Sequence, residues 1–134
     1  MKKPLLALPQ SLIVTLLVLF FGAITAAAQS GTWIKKANSI SGTWSIGLQG
    51  GQRVIALKDF KTATAPDLKI FLSTKPADQL TSRNATNGAL YVAKLKSSIG
   101  DQSYVLPKDV DLSRYKTVLI HCEKYSKLWG VGKL

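Results

Sequence analysis

His121 and Cys122 are the only histidine and the only cysteine of the chain, and they are neighbours within "KTVLIHCEKYSKLWG", residues 116–130. Imidazole and thiolate serve metal binding, nucleophilic catalysis and redox exchange. Having one of each excludes much of that chemistry. Zinc wants three or four N, S or O ligands in a tetrahedral array. Blue copper wants two histidines and a cysteine with a weak axial methionine, and the single methionine here is Met1. Covalent haem needs C-x-x-C-H and a dithiol couple needs C-x-x-C; neither motif is present. Iron–sulfur clusters need about four ligating side chains.

Hydrolytic chemistry meets similar obstacles. There is no G-x-S-x-G elbow. A Cys–His nucleophile pair must lie within hydrogen-bond reach, yet adjacent side chains on a strand point to opposite faces. Asp109 and Asp111 are spaced to share a face if extended, but their turn-like segment is better explained by capping. The chain is therefore not expected to be a stand-alone enzyme. Four readings of Cys122 stay open: a small buried hydrophobe, an axial thiolate to a non-covalent haem, a naked redox thiol, or a bond to a partner chain, including a disulfide-linked dimer. Strand parity puts Val118, Ile120, Cys122 and Lys124 on one face and Leu119, His121 and Glu123 on the other. His121 is thus expected to be an outward, solvated strand histidine.

The elements that must position these residues are short. Apolar runs recur with turn signals every eight to twelve residues, the pattern of an all-β sandwich or barrel. "GTWIKKA" begins the series. "SGTWSIGLQ" and "QRVIALKDF" flank Gly50-Gly51 and read as a hairpin. Pro66 opens the strand "DLKIFLS", where Leu68, Ile70 and Leu72 alternate toward the core. Residues 74–88 read as a polar loop. "ALYVAKL" and "QSYVLP" are further strands. "KDVDLSRY" is a compact helical turn capped by Asp109 or Asp111. "KTVLIHCEKY" is read as the last long strand, after which "SKLWGVGKL" closes the chain.

The N-terminus joins "MKK" to the apolar run "SLIVTLLVLFFGAITAAA". A basic start, an apolar stretch and an A-x-A ending are the parts of a secretory signal peptide. A cleavable signal helix over 1–28 and one domain over 29–134 are expected, the alternative being an N-terminal membrane anchor. Removing two leader lysines leaves 16 Lys and Arg against 7 acids, about +9. That balance suits anionic surfaces. No basic–aromatic motif points to nucleic acid. One cysteine cannot staple the domain internally, so its stability must come from the core. "NAT" at 84–86 is an N-glycosylation sequon in the predicted loop and is read as incidental.

The order and spacing of several motifs carry a resemblance. "APDLKIFLS" at 65–73, "GDQSYVLP" at 100–107, the cysteine strand and the late "GVGKL" at 130–134 resemble the DM-thirteen electron-transfer domain family. The likeness runs from about Gly31 to Leu134. It implies an extracytoplasmic, DOMON-like β-sandwich. It also implies a redox role for the cysteine matching Cys122, as a free thiol or as ligand to a prosthetic group such as haem. An envelope redox partner and a secreted or periplasmic location follow from the same likeness. Ala65 departs from the family's glycine before Pro-Asp-Leu and is expected to alter that turn. Tyr125 and Trp129 follow Cys122 closely and are candidates for holding a cofactor. Trp33, Trp44 and Tyr104 are read first as core, and Tyr115 as a corner tyrosine bonding to backbone. The alternative function is a non-catalytic extracytoplasmic binding module with a structural cysteine.

Overall fold

The computed structural model describes residues 29–134, and the expected signal helix lies outside them. The described residues form nine strands. These are β1 (Gln29–Thr32), β2 (Ile34–Lys35), β3 (Ile40–Gln49), β4 (Gln52–Thr62), β5 (Leu68–Ser73), β6 (Leu90–Lys94), β7 (Gln102–Val105), β8 (Thr117–Cys122) and β9 (Lys127–Lys133). They make two antiparallel sheets, ordered β1-β3-β4-β7 and β2-β9-β8-β5-β6. The described residues are all-β apart from short 3₁₀ turns, and their core lies between the sheets. Trp44, Ile46, Ile55, Leu57 and Tyr104 from the first sheet share one cluster with Leu68, Ile70, Leu72, Val118, Ile120, Cys122 and Trp129 from the second.

Local sequence explains most boundaries. Gly50 and Gly51 both take positive φ, +54° and +79°, as the tight β3–β4 hairpin requires. Asp111 caps the 3₁₀ turn Leu112–Arg114, its carboxylate accepting from the Ser113 N–H at 3.1 Å. The hydrogen bonds from Ser113 also hold that carboxyl below its ordinary pKa. Trp33 separates β1 in one sheet from β2 in the other. Its ring is buried edge-on against Phe60, 6.0 Å between centroids, so "GTWIKKA" serves both sheets rather than forming one strand.

Two expectations change. "SKLWGVGKL" is not a closing tail but β9, which pairs with β8 along its length and with β2 on its other side. Its glycines explain why it was hard to read: they weaken strand propensity but make room for the opposite sheet. A Cβ at Gly132 would stand 2.2 Å from Trp44 Nε1, and one at Gly130 2.8 Å from Ile40 Cδ1.

The second change concerns residues 74–88. They are irregular and mostly polar, as expected, but they cover the outer face of the second sheet. Ala77, Leu80 and Ala85 form a second apolar cluster with Phe71, Leu119, Leu128 and Val131. Hydrogen bonds fasten the cover at both ends: Thr117 Oγ1 donates to Lys75 O at 3.1 Å, and Leu128 N donates to Ser82 Oγ at 2.9 Å.

Candidate functional site

Cys122 ends β8, opposite Leu68 on β5. Val118, Ile120 and Cys122 all face the inter-sheet core, as parity expects. Its thiol has no solvent exposure and donates to the Pro66 carbonyl at 3.2 Å. Pro66 itself is exposed, so the thiol lies one turn beneath the surface. The positive φ of that turn falls on Asp67, at +66°, not on Ala65. Proline followed by a left-handed aspartate is what a type II turn asks for, and alanine at 65 leaves it unstrained.

The turn is held from above by charge. Glu123 N donates to Asp67 O at 3.1 Å. Lys69 Nζ donates to Glu123 Oε2 at 2.7 Å and lies 3.5 Å from Asp67 Oδ1. The Glu123 hydrogen bond is the main reason the Lys69 ammonium is held above its ordinary pKa. Sequence reading missed this trio. Its signal was the i, i+2 pair Asp67 and Lys69 leading into the strand that lies beside Cys122.

The other two expected site residues part company: Trp129 shares the inner cluster with Cys122, and Tyr125 does not. Tyr125 sits in the β8–β9 turn and is exposed. Trp129 is buried in the inner cluster, where its Nε1 donates to Thr62 Oγ1 at 2.8 Å. A register shift between Ile120 and His121 places Trp129 on the inner face; strict alternation with Val131 would have put it outside. The tyrosine that bonds to backbone is Tyr104, whose hydroxyl accepts from Lys96 N at 2.8 Å.

His121 corrects the reading made of it. Its ring does oppose Cys122, but it is buried at 5% exposure rather than solvated. It stands edge-on to Phe71, 6.3 Å between centroids, and neither ring nitrogen makes a well-aligned hydrogen bond, the Ser82 backbone being near the ring without meeting that geometry. Burial pushes its pKa below the ordinary value, against smaller opposing effects of the nearby Ser82 backbone and Glu123. The segment 74–89 covers it, which no single-strand pattern could reveal.

A cavity of about 200 Å³ lies beside the 64–67 turn, walled by Thr64, Ala65, Asp67, Leu68, Lys94 and Lys96 among others; Cys122 is not in its wall. Ligand pockets run to about 300–1,000 Å³. The residues around Cys122 do not fit a haem, because the thiol is fully enclosed, already hydrogen-bonded and outside this small cavity. Among the described residues no group of three His, Cys, Asp or Glu side chains could hold a metal ion.

Residues 33–134 match the family model described as electron transfer DM13. The chain belongs to the DM13 family. No curated protein and no solved structure matches it. The motifs of this DM13 domain have visible structural roles. Pro66-Asp67-Leu68 is the turn over Cys122. In "GDQSYVLP", Asp101 Oδ1 accepts from Asp59 N at 2.8 Å, while Gln102 and Tyr104 bond to each other and to the 96–100 loop. Gly130 and Gly132 make room for Ile40 and Trp44.

Proposed function

We propose that this DM13 domain acts outside the cytoplasm, after removal of residues 1–28, and exchanges electrons through the naked thiol of Cys122. The observation that carries the reading is the family's electron-transfer character joined to one redox-capable thiol a single turn below the surface. The Ala65–Asp67 turn must lift to admit a partner. The exposed thiol then loses its proton to solvent, and the thiolate attacks a partner's disulfide. A bond forms between Cys122 and one partner sulfur, the partner's own S–S bond breaks, and the second partner sulfur leaves as thiolate. Cys122 is oxidised and the leaving sulfur is reduced. No haem enters this reading, because the thiol's surroundings do not fit one.

A second reading, a binding module with a structural cysteine, is favoured by the complete enclosure of the thiol. One experiment separates the two. The folded protein is mixed with a chromogenic aromatic disulfide, with Cys122→Ser as blank. Release of one thiolate per chain under native conditions supports the redox reading. Release only after unfolding rejects it and leaves the structural cysteine. A disulfide between two copies would need the same opening and would show as a covalent dimer under mild oxidation.

A further inference from the structure

Lys36, Lys127, Thr81 and Ser82 come from three distant parts of the chain. They meet around a cavity of about 230 Å³ floored by Leu80 and Leu128. Backbone bonds fix its walls. Lys36 N donates to Trp129 O and Ala37 N to Leu128 O, each at 3.1 Å, tying the end of β2 to β9. Leu128 N donates to Ser82 Oγ at 2.9 Å, tying the cover segment to the same strand. Asn84 N donates to Thr81 Oγ1 at 3.3 Å.

These bonds decide what the cavity can offer a ligand. Each hydroxyl oxygen already accepts from a backbone N–H, so its own O–H is left to donate. An ammonium carries donors only. No carboxylate lines the cavity. Among the described residues the ion pairs all involve Lys69, so neither Lys36 nor Lys127 has a carboxylate partner. Two exposed lysines, Lys36 just after β2 and Lys127 at the start of β9, thus line the same cavity as two hydroxyls of the cover segment whose O–H groups are left to donate. A flat carboxylate presents two acceptor atoms, whereas a tetrahedral oxyanion presents acceptors in several directions at once. Since a water occupies ~30 Å³, the cavity has room for such an ion with several waters.

We propose that this cavity binds a phosphate-type oxyanion through Lys36, Lys127, Thr81 and Ser82. Lys127 is the cross-strand partner of Cys122, but the thiol does not line the cavity and the proposal does not depend on the redox reading. The same chemistry could be supplied by free phosphate or by the headgroup of an anionic phospholipid.

The test is a titration of the ¹⁵N-labelled protein with inorganic phosphate against chloride at equal ionic strength. Amides of 36, 81, 82, 127 and 128 are followed together with the His121 ring, the cross-strand neighbour of Leu128 and the single histidine. Saturable shifts confined to these positions are expected with phosphate only. Lys36→Gln with Lys127→Gln should weaken binding at least tenfold without lowering the melting temperature. The control pair Lys58→Gln with Lys61→Gln makes the same charge change elsewhere and should weaken it less than twofold. Shifts that stay linear, appear equally with chloride, or fall equally in both double variants would overturn the site, and the wild-type titration alone can deliver the first two. Co-sedimentation with phosphatidylglycerol vesicles distinguishes the sources. Vesicle binding lost in the Lys36/Lys127 variant and competed by phosphate identifies the headgroup. Saturable phosphate shifts without such vesicle binding identify the free ion.

Discussion

The two sheets of the domain treat their outer faces differently. On the first sheet Thr43, Ser45, Gly47, Ala56 and Ser103 lie on the face away from the core, and none of them is fully buried. On the second sheet Phe71, Leu119, His121, Leu128 and Val131 lie on the outer face, and all of them are buried beneath residues 74–89. The difference teaches where alternation can be trusted. A sheet with one wet face writes its inside and outside into every strand. A strand covered on both sides does not: all six residues of β8 are buried. The covered face is in effect a second small core, and that invites direct attempts to break the comparison.

The largest effect is expected from Leu119→Ala. Leu119 is fully buried in the outer cluster, so its truncation should cost about 2–5 kcal/mol, the range for a core leucine. Urea unfolding measures it, with Ile120→Ala as the inner-face comparison. A cost below that of a surface substitution would show that the cover does not pack.

Ser82→Ala comes next. It removes the acceptor of the Leu128 N–H, an interaction that fastens the cover. Leaving that donor unpaired should cost about 1–3 kcal/mol, and hydrogen exchange should quicken at the Leu128 amide. Unchanged protection there would mean the cover is held by apolar contact alone.

His121 gives a pH-dependent test of the same face. Its folded pKa lies below the ordinary 6.5 because burial disfavours the charged ring, while Ser82 and Glu123 oppose the shift. The unfolded chain therefore binds the extra proton first as pH falls. Stability should be full above about pH 6.5 and decline below it toward the folded pKa. Lys69, its cross-strand neighbour on β5, is the charged group facing it from that strand and is itself paired with Glu123. His121→Leu removes two buried nitrogens without well-aligned hydrogen bonds. It should gain about 1 kcal/mol and flatten the acid limb of a melting-temperature profile between pH 7 and 5. An identical acid limb in both proteins would assign it to other groups.

Ser45→Ala and Ser103→Ala on the open face should stay within about 0.5 kcal/mol of wild type. A larger loss would mean that something covers that face in solution. The five variants, with Ile120→Ala as reference, state the comparison as a ranking measurable in one denaturation series.

Much of the frame was legible in the sequence because its causes are local. Gly50-Gly51 fixed the β3–β4 hairpin through their positive φ, and Pro66 marked the entry to β5. Leu68, Ile70 and Leu72 pointed inward by alternation, and Asp111 announced the 3₁₀ turn it caps. The opposition of His121 and Cys122 followed from strand geometry alone. By these same local rules "SKLWGVGKL" was read only as closing the chain, and strict alternation would have put Trp129 on the outer face.

What the tertiary structure decided depends on partners far away in the chain. β9 is a strand because Trp44 and Ile40 need the space its glycines leave, and a shifted register turns Trp129 inward. His121 is dry because a polar-looking segment some forty residues earlier folds over it through Ala77, Leu80 and Ala85. Cys122 is closed because the Pro66 carbonyl meets its thiol from the turn before β5. Alternation, capping and turn chemistry act within a few residues, so the sequence alone set which face most strand side chains take, Trp129 at its shifted register excepted. Whether that face meets water is settled by whatever else the chain lays upon it, and only the assembled fold contains that information.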